Sequence, residues 1–248
     1  MATLAGKTVL IVGGSSGIGY GVAKASLLSR ASKIIIASSS KARVEAALVR
    51  LKNDITATGS NVEGSASGES VDAKDSKSVK DLLGRVGEID HLVWTSGDSL
   101  RTSFPDIDLD ANKGVFDVRF WGAFTAAQVA KIRRGGSITL TIGQLLVRPM
   151  KGYSLTSGVV GAVDALTRGL AVDLAPIRVN VISPGFVKTE FLDLLPAERR
   201  EALEKQANAL LVQHVGQPDE VAEAYLFCMK CQYITGQRIE VDGGWKFI

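Results

Sequence analysis

Short β-branched apolar runs alternate along the whole chain with longer stretches of helical period. KTVLIV (7–12), KIIIAS (33–38), IDHLVWT (89–95), SITLTI (137–142), IRVNVIS (177–183) and QRIEV (237–241) read as strands, with a weaker one near 62–67. Near-continuous apolar strands are buried on both faces, so the alternation predicts an α/β fold: βα units around a parallel sheet with helices on either side. The strongest helical patterns cover 107–131 and 153–174, the second ending before Pro176, which cannot extend a helix. The Gly- and Ser-rich stretch 59–70 predicts a poorly packed strand or an insertion.

Composition narrows the class. A chain of 248 residues that is 46% hydrophobic can bury one large core without disulfides or metals, so a single domain over 1–248 is expected. The net charge of +3 comes from 29 basic and 26 acidic residues spread along the chain, and without a basic block nucleic acid is not an expected partner. No apolar run reaches the ~18 residues of a membrane span, which reads as a soluble, cytoplasmic protein without a membrane partner. Cys228 and Cys231 form a lone C-x-x-C inside a helical pattern, and without a second Cys or His pair they complete no metal site. His91 and His214 read as surface or loop residues.

The first strand runs into VGGSSGIG. Gly13, Gly17 and Gly19 let the backbone turn tightly and approach a pyrophosphate, and the N–H groups of Ser15, Ser16 and Ile18 open a helix whose positive end attracts phosphate. At the end of the second strand, where a carboxylate would bond the ribose of NAD and repel a 2′-phosphate, the chain reads SSSKAR. Ser38, Ser39, Ser40 and Arg43, with Lys41, offer hydroxyls and positive charge instead, favouring NADP(H); the competing reading leaves Lys41 and Arg43 facing solvent.

The G-x-x-x-G-x-G spacing, WTSG (94–97), YSLTSGVVGAVDALTRGLAVDLAPIRVNVISPG and YITGQRIEVDGGW together resemble the short-chain dehydrogenase/reductase (SDR) family, over about residues 5–245. The resemblance implies a Rossmann-type sheet of seven parallel strands. It also implies that Gly97, Pro184, Gly185, Val187 and Thr189 lie against the cofactor and that Asp72 contacts the adenine, although an ungapped alignment would put Gly68 there. A helical substrate lid is implied over about 188–215, and a homodimer or homotetramer through the long helices, where Gly158, Gly161 and Ala162 permit close approach.

By the same resemblance the catalytic set is altered. The family's Asn, Ser, Tyr and Lys correspond here to Arg119, Ile142, Tyr153 and Ser157. A phenol ordinarily titrates near 10, so proton transfer near neutrality needs a neighbouring cation, and Ser157 supplies none. Thr141 is expected to point to the other face of its strand from Ile142; Gln144 or Thr139 would serve only through altered loop geometry. Arg119 carries a permanent charge toward the place of the missing Lys: it is read as catalytic beside Tyr153, by assisting the phenol, holding the nicotinamide ribose or binding a substrate oxygen. Its competing reading is a salt bridge to Asp117 or another acid at an oligomer interface.

GGSSGIG, FDVRFWG and SITLTIG resemble divergent members from fungal secondary metabolism with a degenerate catalytic set, some of them bifunctional reductase/Diels–Alderases. The expected function is an NADP(H)-dependent oxidoreductase reducing an iminium or carbonyl intermediate. The alternatives are a non-redox cyclase or isomerase on the same scaffold and an inert NADP(H)-binding protein. Trp94, Ile142, Met150, Phe186, Leu192, Leu194, Leu195, Leu210 and Leu211 are read as walls for a large hydrophobic small molecule.

Overall fold

The computed structural model describes residues 3–98, 104–190, 205 and 209–248. Strands β1 (Thr8–Val12), β2 (Lys33–Ser38), β3 (Ser65–Ser70), β4 (Glu88–Trp94), β5 (Lys131–Thr141), β6 (Arg178–Pro184) and β7 (Arg238–Val241) form one sheet in the order β3-β2-β1-β4-β5-β6-β7. Every pairing is parallel. The chain winds outward through β2 and β3, then returns to lay β4 on the other side of β1, so a crevice opens between the C-terminal ends of β1 and β4.

Helices α1 (Gly17–Leu28), α2 (Lys41–Ala57), α3 (Ser76–Val86), α4 (Ala123–Val129), α5 (Ser154–Asp173) and α6 (Pro218–Lys230) cover the two faces. One apolar cluster joins the sheet to α3, α4 and α5, and another joins it to α1, α2 and α6. Several helix ends are fixed by side chains. Ser40 and Asp75 accept N–H bonds from the first turns of α2 and α3, a Gln217/Glu220 capping box starts α6, and the buried Arg178 guanidinium bonds the Cys228 and Met229 carbonyls at its end.

The pattern over 107–131 is not one helix. It breaks into a 3₁₀ turn (Lys113–Phe116), a π-helical turn (Asp117–Gly122) and α4, and β5 has begun by Lys131. The π-turn is held from the sheet: Trp94 donates its indole N–H to the Val118 carbonyl at 3.1 Å, and a Cβ on Gly122 would lie 2.4 Å from the Ala73 carbonyl oxygen. β5 starts six residues before its apolar run because Lys131 and Ile132 pair with Glu88 and Ile89, after which the register shifts before His91 meets Ser137.

Residues 65–70 form β3, an edge strand with mostly exposed side chains, a little later than the weak run near 62–67. α5 follows the helical pattern over 153–174; it is 20 residues long and apolar enough to cross a membrane by length and composition, and its Val159, Val160, Val163 and Leu170 are buried inside the protein. His91 is not at the surface but 1% exposed in β4, with Nδ1 2.9 Å from Ser137 Oγ. A central strand is covered on both faces, so a polar residue there must find a buried partner. His214 is exposed and bonds the Val212 carbonyl and Glu220. Cys228 is buried in α6, and burial pushes its thiol up to about 12.

Candidate functional site

The Gly-rich turn sits between the C-terminal ends of β1 and β4 with no space for side chains. Gly13 has φ +92° and donates its N–H to the Ala37 carbonyl at 2.8 Å; a Cβ there would lie 2.6 Å from Ser96 N. A Cβ on Gly19 would lie 2.3 Å from the Gly13 carbonyl oxygen. Thr95, where the resembling family has Asn, donates its hydroxyl to the Val12 carbonyl at 3.1 Å and ties β4 to the turn. Gly17, at φ +51°, opens α1, whose N-cap Ser16 makes no side-chain cap bond and whose first turn carries no acid. Ile18 packs against the α1-side core.

At the end of β2 no carboxylate is present. Ser15 donates its hydroxyl to Ser38 Oγ at 3.0 Å, Arg43 donates to Ser39 Oγ at 2.8 Å, and Ser40 is spent on capping α2. Arg43 therefore turns toward the serines, whereas Lys41 is exposed beside Glu45. Asp72 lies just beyond β3 at the C-terminal edge, its Oδ1 accepting from Lys74 N. Gly68 lies inside β3 opposite Ile36, where a Cβ would lie 2.2 Å from Val44 Cγ1. Of the two adenine candidates, only Asp72 stands at the edge where β1 and β2 present the turn and the serines.

Pro184 ends β6 against Val241, and Gly185 continues the pairing by donating its N–H to the Val241 carbonyl at 2.9 Å. A Cβ on Gly185 would lie 2.7 Å from Asp242 Cα. Val187 is 9% exposed and bridges to Gly216; Thr189 lies against the α1 N-terminus, its Cγ2 3.0 Å from where a Gly17 Cβ would be.

At the reaction end, the π-turn aims Arg119 across the end of β4. Its Nη2 donates to the Asp98 carbonyl at 3.0 Å, and its Cζ would lie 2.4 Å from a Cβ on Gly97, so Gly97 makes room for the guanidinium. Its Nε is buried with no partner among the described residues. Burial lowers the Arg119 pKa, partly offset by the Asp98 carboxylate, which itself pairs with Lys74 at 3.0 Å. The arginine stays cationic. The acid it approaches is thus Asp98 rather than Asp117.

Tyr153 is half-buried at the N-cap of α5. Ser157, one turn on, donates its hydroxyl to the Leu145 carbonyl at 3.2 Å. Ile142 is 5% exposed in the core and donates its N–H to the Ile182 carbonyl. Thr141 points to the opposite face, where its hydroxyl bonds the Trp94 carbonyl and the buried Tyr225, each at 2.7 Å. Thr139 is fully buried, and Gln144 is buried with Oε1 lacking a partner among the described residues.

The expected apolar walls divide. Trp94 and Ile142 belong to the core, since Trp94 is 1% exposed and committed to Val118. Phe186 packs edge-on against Trp245 at 4.8 Å beside buried Leu210, while Met150 and Leu211 are exposed. Leu192, Leu194, Leu195 and most of the lid expected over 188–215 lie outside the described residues.

A further group had no signal in the sequence. Glu190 accepts from the Gly17 N–H at 2.7 Å through Oε2 and from Arg50 Nη1 at 2.9 Å through Oε1. Arg50 lies 3.5 Å over the Tyr20 ring, and the Tyr20 hydroxyl donates to Asp54 at 2.7 Å. Arg50 follows Arg43 by about two helical turns on α2.

A family model described as an SDR-like Rossmann domain matches residues 1–248. The chain belongs to the short-chain dehydrogenase/reductase family. It is 38% identical to the short-chain dehydrogenase/reductase ATR9 of Stachybotrys chlorohalonatus, over 98% of both chains. To malC of Malbranchea aurantiaca it is 34% identical, over 97% of this chain and 95% of that one. Among solved structures, the MalC reductase/Diels-Alderase of Malbranchea aurantiaca superposes with a TM-score of 0.91 at 32% identity, covering 99% and 98% of the two chains. A small-chain dehydrogenase in complex with NADPH gives 0.79 at 31%, covering 98% and 99%. This SDR chain thus groups with fungal secondary-metabolism relatives.

Proposed function

We propose that the protein is an NADP(H)-dependent oxidoreductase that reduces a hydrophobic iminium or carbonyl intermediate with an altered proton-transfer site. One observation carries the reading: Gly13 and Gly19 are packed against backbone with no room for a Cβ, as a dinucleotide cradle requires, while Arg119 is laid over Gly97 and Ser157, which the resemblance aligns with the family's Lys, bonds the Leu145 carbonyl. The cradle fits the cofactor on three counts. Gly13 and Gly19 leave no room for a Cβ, the N-cap residue Ser16 makes no side-chain cap bond to α1, and Ser38, Ser39 and Arg43 replace the carboxylate that would reject a 2′-phosphate.

Bound NADPH would supply a hydride. Gly13, Ser15, Ser16, Gly17, Ile18 and Gly19 would hold the pyrophosphate; Ser38, Ser39, Ser40 and Arg43 the 2′-phosphate; Asp72 the adenine; Gly97, Pro184, Gly185, Val187 and Thr189 the nicotinamide half. Arg119 would hold the ribose hydroxyls or stabilise negative charge on a substrate oxygen, and its Nε, without a partner among the described residues, gives it a donor to spend. Hydride added to the carbon of an iminium sends the C=N π pair to nitrogen and leaves a neutral amine with no proton required, so Tyr153 can act as a positioning hydroxyl where Ser157 stands in place of Lys. A homo-oligomer through α5 is consistent with Gly158, beside which a Cβ would meet nothing within 4 Å.

A second reading has its own support. Similarity to a protein described as a reductase/Diels-Alderase favours a pocket that also directs a cyclisation, where positioning alone lowers the barrier. The test presents hydrophobic cyclic imines and carbonyls with NADPH or NADP⁺. Product formed in step with NADPH oxidation supports the oxidoreductase; product formed equally with NADP⁺ supports the cyclase. Binding of NADPH with no turnover across the panel argues for an inert binding protein.

A further inference from the structure

The N-terminus of α1 is already occupied by an anion of the protein itself. Glu190 reaches it from the segment after β6 and takes the Gly17 N–H, with Arg50 as its counter-ion. An N–H at this position is one that a dinucleotide pyrophosphate would use, and two anions cannot share it.

Arg50 is built to outlast the exchange. Its guanidinium is stacked on Tyr20 and so keeps its place whichever anion it faces, and Tyr20 is anchored in turn by Asp54. Its donors are under-used: Nε is buried without a partner among the described residues, and Nη2 reaches the Ser15 carbonyl only at 3.5 Å. Losing Glu190 would leave a half-buried cation facing the phosphate turn. Arg43, by contrast, is directed at Ser39.

We propose that Arg50 is a pyrophosphate-binding residue and that Glu190 is its resident counter-anion, displaced when the dinucleotide enters. The inference rests on the dinucleotide-binding reading above. Glu190 thus sets the affinity of the site by competing for both Gly17 N–H and Arg50, and the charge that balances Arg50 passes from carboxylate to phosphate. Because the pyrophosphate is common to both nicotinamide cofactors, Arg50 contributes equally to NADPH and NADH, whereas Arg43 separates them.

The test is a fluorescence titration of the full chain with NADPH and with NADH, for the wild type, Glu190→Ala, Glu190→Gln, Arg50→Ala, Arg50→Lys and the Glu190→Ala/Arg50→Ala pair. Glu190→Ala is expected to bind both cofactors about tenfold more tightly, and Arg50→Ala to bind both about tenfold more weakly, with partial recovery in Arg50→Lys. In the Arg50→Ala background the gain from Glu190→Ala should shrink, since only the Gly17 N–H remains contested. Glu190→Ala binding no tighter than wild type overturns the proposal, as does an Arg50→Ala loss confined to NADPH, which would make Arg50 a reader of the 2′-phosphate. Cofactor-free melting of each variant separates lost binding from lost folding. Wild-type protein that binds neither nucleotide would instead overturn the cofactor reading itself.

Discussion

The nucleotide end of the sheet and the reaction end are made of different material. Around β1, α1 and β2 the contacts are backbone against backbone, and a single methyl on Gly13 or Gly19 would collide with main-chain atoms at 2.6 and 2.3 Å. Around β5 and α5 the chemistry would rest on side chains, and the replacements have been absorbed into packing. Ile142 is in the core and Ser157 bonds the Leu145 carbonyl. A backbone cradle resists change because change breaks the fold. An acid–base set of side chains can be exchanged at little structural cost, and on the proposed reading Arg119, laid over Gly97, relocates the charge rather than losing it.

Arg119→Ala should have the largest effect. Turnover is expected to fall about a thousandfold, or ~4 kcal/mol of barrier, with the melting temperature close to wild type. Steady-state kinetics beside a thermal melt checks it, and unchanged rates would remove Arg119 from the site. Gly19→Ala should cost about 3 kcal/mol of stability and abolish nucleotide binding, read by urea unfolding and cofactor titration.

The interior of the central strand β4 gives a contrast in which folding alone is at stake. Burial, reinforced by the charges of Arg178 and Lys7 and opposed by Asp90, lowers the His91 pKa to about 4. An unfolded histidine titrates near 6.5, so between these values the unfolded chain binds the extra proton. The stability is present above about pH 6.5 and is lost as pH falls toward 4, by about 3 kcal/mol in all. In His91→Gln the fall between pH 6.5 and 4.5 should flatten in denaturant titrations, while cofactor affinity at pH 7.5 stays constant.

Arg43→Ala should lower the preference for NADPH over NADH about tenfold without touching NADH affinity. Smallest of all should be Tyr153→Phe, expected to change the rate on a pre-formed iminium by less than about threefold; a loss of roughly a thousandfold would restore a proton-transfer role to the phenol.

Much of this arrangement is legible locally. β1, β2, β6 and β7 follow their apolar runs within a residue or so, and the Gly-rich turn announces itself by spacing. The π-turn does not, because the Trp94 indole and the space at Gly97 that stabilise it come from β4 and the residue stretch just after it, not from its own sequence. The start of β5 is hidden for a related reason: KIRRGG carries a register shift and little apolar alternation. His91 shows the limit of counting polarity on a central strand, where both faces are buried. The Arg50–Glu190 pair joins residues 140 positions apart and leaves no pattern in either neighbourhood.

The central claim is that a complete dinucleotide cradle persists beside an altered reaction end. It is tested most directly by titrating the purified protein with NADPH and with NADH, following tryptophan quenching and energy transfer to the nicotinamide. Saturable binding of both, tighter for NADPH by at least about tenfold, is the result predicted. Failure to bind either, or a preference for NADH, would contradict it.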